Sequence, residues 1–134
     1  MSAKEIVKSF YDLDLAKDKG AIKLFHKDCE LHWNSSRGFT SLNKDGIEEM
    51  LAGVRESFIS FTYKLSHLLE EGKNVTARYT VYVTTIERPK KEEPLAHFIS
   101  IWSVKNGKLF KGYEISQLVD DSKESMSSFS EIKI

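Results

Sequence analysis

Between Ala3 and Lys17 the apolar residues Ile6, Val7, Phe10 and Leu13 recur every three or four positions. At about 100° per residue that spacing gathers them into one stripe of a helix over 3–17. Asp14 falls inside the stripe. Asp18 stands where it caps a second, shorter helix over 19–26 that carries Ala21, Ile22 and Phe25. From Cys29 the period drops to two, which predicts a strand over 29–34. One face of that strand holds Cys29, Leu31 and Trp33, the other Glu30, His32 and Asn34. Residues 35–42, SSRGFTSL, read as a loop. Asn43 or Asp45 then caps a third helix, with Ile47, Met50, Leu51, Val54 and Phe58 on one face.

Beyond Phe58 the alternation is sustained. Phe61, Tyr63, Leu65, His67 and Leu69 share one parity, and Val75, Ala77, Tyr79, Val81 and Val83 share another. A turn at Glu71-Gly72-Lys73-Asn74 separates them. Arg88 to Pro94 forms a polar loop, and strands follow over 95–105 and 108–119. Asn106-Gly107 between them is a hairpin signal, because both residues accept the positive φ of a type I′ turn. Helices followed by a run of long strands predict an α+β fold, with the helices against one face of a bent sheet. Residues 1–120 form one domain in this reading, and the serine-rich 121–134 is a loose tail.

Composition narrows the class. The 134 residues carry 20 basic and 20 acidic side chains, so nothing in the net charge draws the chain to nucleic acid or anionic lipid. No apolar run has the length of a membrane span, and the start lacks a signal-peptide pattern. The expectation is a cytoplasmic protein with neither a nucleic-acid nor a membrane partner. A single cysteine, Cys29, excludes an internal disulfide. Cys29 and His32 alone do not make a metal site, so no metal and no cofactor are expected.

The helix pair leading into AIKLFHKDCELHW, the stretch GFTSLNKDGIEEML and the closing hairpin SVKNGKLFKGYEISQLVD occur in the order found in the nuclear transport factor two-like superfamily, whose SnoaL-like group the chain resembles up to Val119. The resemblance implies a cone-shaped roll: a curved, mostly antiparallel sheet wrapped around three N-terminal helices, with a pocket inside. It also implies a choice among functions, since the superfamily holds isomerases, dehydratases, cyclases, epoxide hydrolases and non-enzymatic modules. The steroid isomerases of this fold place a carboxylate base at the position of Asn34, and oxyanion donors at those of Phe10 and Ser100. None of the three required groups is present here. The same alignment points His32, Ser100, Trp102 and Glu114 into the cone.

Three ionisable residues are candidates for catalysis. Asp14 is a pocket acid or base, or else a helix-end aspartate reaching solvent or a backbone amide. His32 shuttles a proton beside Asn34, or is a structural histidine on a sheet. Glu114 partners one of them, or forms an ion pair with Arg37 or Arg55. The expected ligand-binding set is Phe10, Asn34, Phe58, Tyr79, Phe98, Ser100 and Trp102, aromatic walls with a few polar groups; such a set describes a core equally well. Two functions stay open: acid–base chemistry on an apolar ligand bearing a carbonyl or hydroxyl, or a non-catalytic binding or assembly module. Apolar residues on both sheet faces (Tyr82 and Ile86, Ile99 and Ile101) predict a homodimer through the convex face.

Overall fold

The computed structural model describes residues 1–120 and 122–131. Its elements are α1 (Ala3–Tyr11), a single 3-10 turn (Ala21–Leu24), β1 (Phe25–Ser35), β2 (Gly38–Asn43), α2 (Lys44–Ser57), β3 (Phe58–Glu71), β4 (Asn74–Thr85), β5 (Glu92–Lys105), β6 (Lys108–Leu118) and α3 (Lys123–Ser130). The six strands form one sheet in the order β2-β1-β6-β5-β4-β3. Every pairing is antiparallel except that of β1 with β6.

The α+β class and the mostly antiparallel sheet are as expected, but three N-terminal helices are not found. Ser2 starts α1 with a capping box to Glu5. The helix then stops at Tyr11, although the apolar stripe runs on. Asp14 explains the stop: its Oδ1 accepts from its own downstream backbone at Ala16 N (3.0 Å) and from Phe61 N of β3 (2.9 Å). Such local side-chain bonds compete with the helix. The expected helix over 19–26 is only the 3-10 turn, because Phe25 already pairs with Leu109 of β6. The expected loop over 35–42 is the turn and edge strand β2, exposed along most of its length. Pro94, expected in a loop, lies within β5 beside a register shift, a place where a strand tolerates proline. Asn106 and Gly107 do turn the β5–β6 hairpin, with φ of 53° and 73°.

Helix α1 packs on β3, β4, β5 and β6, whereas α2 touches β1, β2 and β3. Strands β2 and β3 are opposite edges of the sheet. One helix can reach both edges only if the sheet curls around it. The concave side therefore holds the core, in which Val7, Tyr11, Phe25, Ile47, Leu51, Tyr79 and Trp102 are buried. On the convex side lies α3, in place of the loose tail expected there. Asp121 and 132–134, also assigned to that tail, lie outside the described residues.

Candidate functional site

Strand register decides which side chains meet. Trp33 is level with Glu114 across the parallel β1–β6 pair, and Glu114 is level with Ser100 across β5–β6. Partners at one level share a face, so all three point to the concave side. One level along, Tyr79, Phe98 and Ser116 form the next row. Phe98 stacks on Tyr79 at 5.2 Å and 6° between planes, and on Trp33 at 6.1 Å and 27°. The Trp33 indole donates to Ser116 Oγ (2.9 Å), which fixes that ring.

Between these rows and the two helices lies a cavity of about 310 Å³, within the range of small-molecule sites. Phe10, Phe25, Leu31, Phe61, Tyr63 and Trp102 add to its apolar wall. Glu114 is the one carboxylate, and Arg37 the one cation, among the described residues that line it.

Glu114 is held by hydroxyls, not by a cation. Ser100 Oγ donates to its Oε1 (3.2 Å), and the Tyr79 hydroxyl, at a longer 3.4 Å, donates to it only in place of its bond to Ser100. The two hydroxyls bond each other at 2.6 Å, and Tyr11 donates to Tyr79 at 3.3 Å. Glu114 is half-buried and lines the cavity. Burial pushes its pKa up to about 7, against a smaller opposing effect of the Ser100 and Tyr79 bonds. The same burial, with the Glu114 charge added, raises Tyr11, Tyr63 and Tyr79 well above an ordinary phenol. Tyr11 and Tyr79 thus keep their protons and donate them within the cluster. The buried Trp102 indole N–H makes no hydrogen bond of ordinary geometry, although it lies near enough to Tyr11 to favour that residue's ionised form.

The SnoaL-like domain family matches residues 7–111. The chain belongs to the SnoaL-like family. No curated protein sequence matches it. Among solved structures it is similar to IdmH from Streptomyces antibioticus, named as a candidate polyketide cyclase, with 14% identity, a TM-score of 0.66, and coverage of 87% of this chain and 92% of that one. A phenazine biosynthesis-related protein from Pseudomonas aeruginosa has 13% identity, a TM-score of 0.67 and coverage of 97% and 82%. An LEH-like epoxide hydrolase of M. tuberculosis has 14% identity, a TM-score of 0.63 and coverage of 85% and 81%. Likenesses at such low identity establish the fold. This is a SnoaL-like pocket protein, and its own side chains must indicate the chemistry.

Of the residues singled out in the sequence, Phe10, Tyr79, Phe98, Trp102 and Glu114 line the SnoaL-like cavity. Ser100 is fully buried behind Tyr79 and Glu114. Four expected site residues are corrected. His32 is level with Tyr113, not Glu114, so it points to the convex side, where it stacks on Tyr113 (5.3 Å) and neighbours Phe39 (6.0 Å). Asn34 shares that side and is exposed, and Glu30 pairs there with Lys111. The apolar face of β1 (Cys29, Leu31, Trp33) faces the core instead, as burial demands. Asp14 is occupied in joining the end of α1 to β3 and does not line the cavity. Phe58 packs beside Phe61 at the rim of the core, also outside the lining.

Trp33, Phe61, Tyr63 and Arg37 line the cavity but were not expected as ligand contacts, and Tyr11 joins the hydroxyl cluster behind it. The parity of Trp33 with Cys29 and Leu31 was the available signal. Tyr11 follows Val7 by four positions, at the edge of the apolar stripe of α1, so its signal was an apolar position and not a polar one. Among the described residues no three His, Cys, Asp or Glu side chains converge as a metal site, and no helix is long and apolar enough to cross a membrane.

Proposed function

We propose that the cavity binds a flat, largely apolar molecule with a carbonyl or hydroxyl, and that Glu114 exchanges a proton with it. The observation that carries this reading is a carboxyl held by hydroxyls on the wall of a mostly apolar cavity, where burial raises its pKa to about 7. A group with that pKa is populated in both forms near neutral pH, where general acid–base catalysis is most effective. Tyr79 and Ser100 orient the carboxyl, and the stacked rings of Tyr79, Phe98 and Trp33 offer a planar wall for a ring system. The reaction class is proton transfer next to a carbonyl, as in an isomerisation or a cyclisation.

The test is deuterium exchange at the carbons flanking the carbonyl of 2-tetralone, followed by NMR in heavy water. The protein should accelerate exchange, with a midpoint near pH 7, and Glu114→Gln should lower the rate by about a hundred- to ten-thousand-fold. Exchange no faster than in buffer would contradict the catalytic reading. It would leave the second one, a binding module without turnover. That reading is favoured by the positions of His32 and Asp14 outside the cavity, which leave Glu114 without a second carboxylate or imidazole in the lining.

We further propose a homodimer through the convex face. There Phe39, Tyr113 and Ile115 are 60%, 52% and 62% exposed, and Ile99 and Ile101 lie beside Ile115 and Tyr113 in the register. Apolar exposure of this kind marks an interaction surface. Sedimentation across micromolar concentrations should give twice the chain mass, and a monomer throughout would refute it.

A further inference from the structure

Arg37 occupies the turn of the β1–β2 hairpin and lines the cavity. Most of the lining is buried or half-buried, but Ser36, Arg37 and Leu118 are exposed. These three therefore mark its mouth. The Arg37 backbone is tied back to Ser35 Oγ (3.2 Å), yet its guanidinium forms none of the ion pairs found among the described residues. Glu114, the one lining carboxylate, is bonded to hydroxyls and is level with Trp33, four residues before Arg37 along β1 and its turn. The cavity thus has two chemically distinct poles. The inner one is a hydroxyl and carboxyl cluster suited to a neutral oxygen. The outer one is an arginine whose five guanidinium donors form no ion pair among the described residues.

We propose that the ligand is an aromatic carboxylic acid, whose ring body lies against Tyr79, Phe98 and Trp33, whose hydroxyl or carbonyl meets Glu114, and whose carboxylate is bound by Arg37 at the mouth. The proposal rests on the cavity being the ligand site, as argued above, and adds the anionic end. A carboxylate suits the site because a planar guanidinium binds it through two parallel hydrogen bonds. It also stays near water and avoids the cost of burying a second charge beside Glu114.

The experiment uses 6-hydroxy-2-naphthoic acid and the uncharged 6-hydroxy-2-naphthamide, which share ring and hydroxyl and differ only at the far end. Their affinities are read from quenching of Trp33 and Trp102 fluorescence at about pH 6, where the naphthoate is ionised and Glu114 is mostly protonated. The acid should bind roughly three- to tenfold more tightly than the amide, the range for a charge pair at a partly exposed mouth. Added salt should shrink the preference. In Arg37→Gln the preference should fall to about one, and Arg37→Lys should restore part of it. Equal affinities in the unmodified protein, or a preference untouched by Arg37→Gln, would overturn this proposal while leaving the cavity reading intact. Binding of neither compound would overturn both.

Discussion

The two faces of one sheet solve opposite problems, and residues adjacent in sequence are divided between them. On the concave face Gly112 and Glu114 abut Trp102 and Ser100; on the convex face Tyr113 and Ile115 lie open. The concave face removes nearly everything from water and then places one carboxyl inside, bonded to hydroxyls whose protons cannot easily leave. Apart from His97, which α3 covers, the convex face keeps its ionisable groups near solvent or pairs them, as with Glu30 and Lys111. The same histidine or glutamate has a different chemistry depending on parity alone. Burial, not residue type, makes Glu114 unusual.

The largest expected effect is on the concave side. Trp102→Ala removes a fully buried ring that packs on Phe25 at 5.6 Å and should cost about 3–5 kcal/mol of stability, measured by urea unfolding. Glu114→Gln should act in the opposite direction. The folded carboxyl binds its proton more tightly than the unfolded one, so the native state loses relative stability as pH rises from about 4.5 through about 7. The uncharged variant escapes that loss. It should be more stable than the parent at pH 8, by up to about 3 kcal/mol for a shift from 4.5 to about 7, and nearly equal to it at pH 4. A parent whose stability rises through that window would break the account.

Gly112→Ala comes next. An added Cβ would fall 2.5 Å from the Trp102 ring, so overpacking should cost about 1–3 kcal/mol. Its neighbour sharpens the contrast: Tyr113→Ser should change the stability of the monomer by less than about 0.5 kcal/mol, while weakening any dimer. Equal costs at 112 and 113 would mean that the two faces are not distinct.

The helix on the convex face gives a smaller, pH-dependent effect. Phe129 stacks on His97 at 4.0 Å and lies over Arg78, while Ser125 and Thr80 face the two ring nitrogens. Burial and the Arg78 charge lower the His97 pKa, with Asp120 opposing them. Docking of α3 therefore favours the neutral ring. It should weaken as pH falls below the ordinary histidine value of 6.5, seen as faster amide exchange over 123–130. Smallest of all is His32→Gln, expected to alter stability by less than about 0.5 kcal/mol and to leave probe binding in the cavity unchanged.

The strands of the second half were legible because Val75 to Val83 and the Asn106-Gly107 turn carry strong local signals. Strand β2 was not, since an edge strand exposed along most of its length shows no alternation of apolar and polar residues. The ends of the helices were lost to Asp14, whose bond to Phe61 is a contact between distant residues that no period reveals. Tyr79 shared the parity of an apolar strand face, whereas Ser100, Trp102 and Glu114 were pointed into the cone by the resemblance to the family. His32 was misplaced because a polar face suggests chemistry as readily as solvent, and only the β1–β6 register separates the two. Arg37 carried no pattern at all: its meaning comes from the cavity mouth that the fold brings to it.

The most direct test is a carbon-13 NMR titration of the Glu114 side-chain carboxyl, assigned by its absence in Glu114→Gln. The account expects a midpoint near 7, displaced upward by burial, and a further rise in Tyr79→Phe, which removes a hydrogen bond that favours the charged form. A midpoint in the ordinary carboxylate range, near 4.5, would mean that the cavity does not hold a poised proton, and would contradict the proposed chemistry.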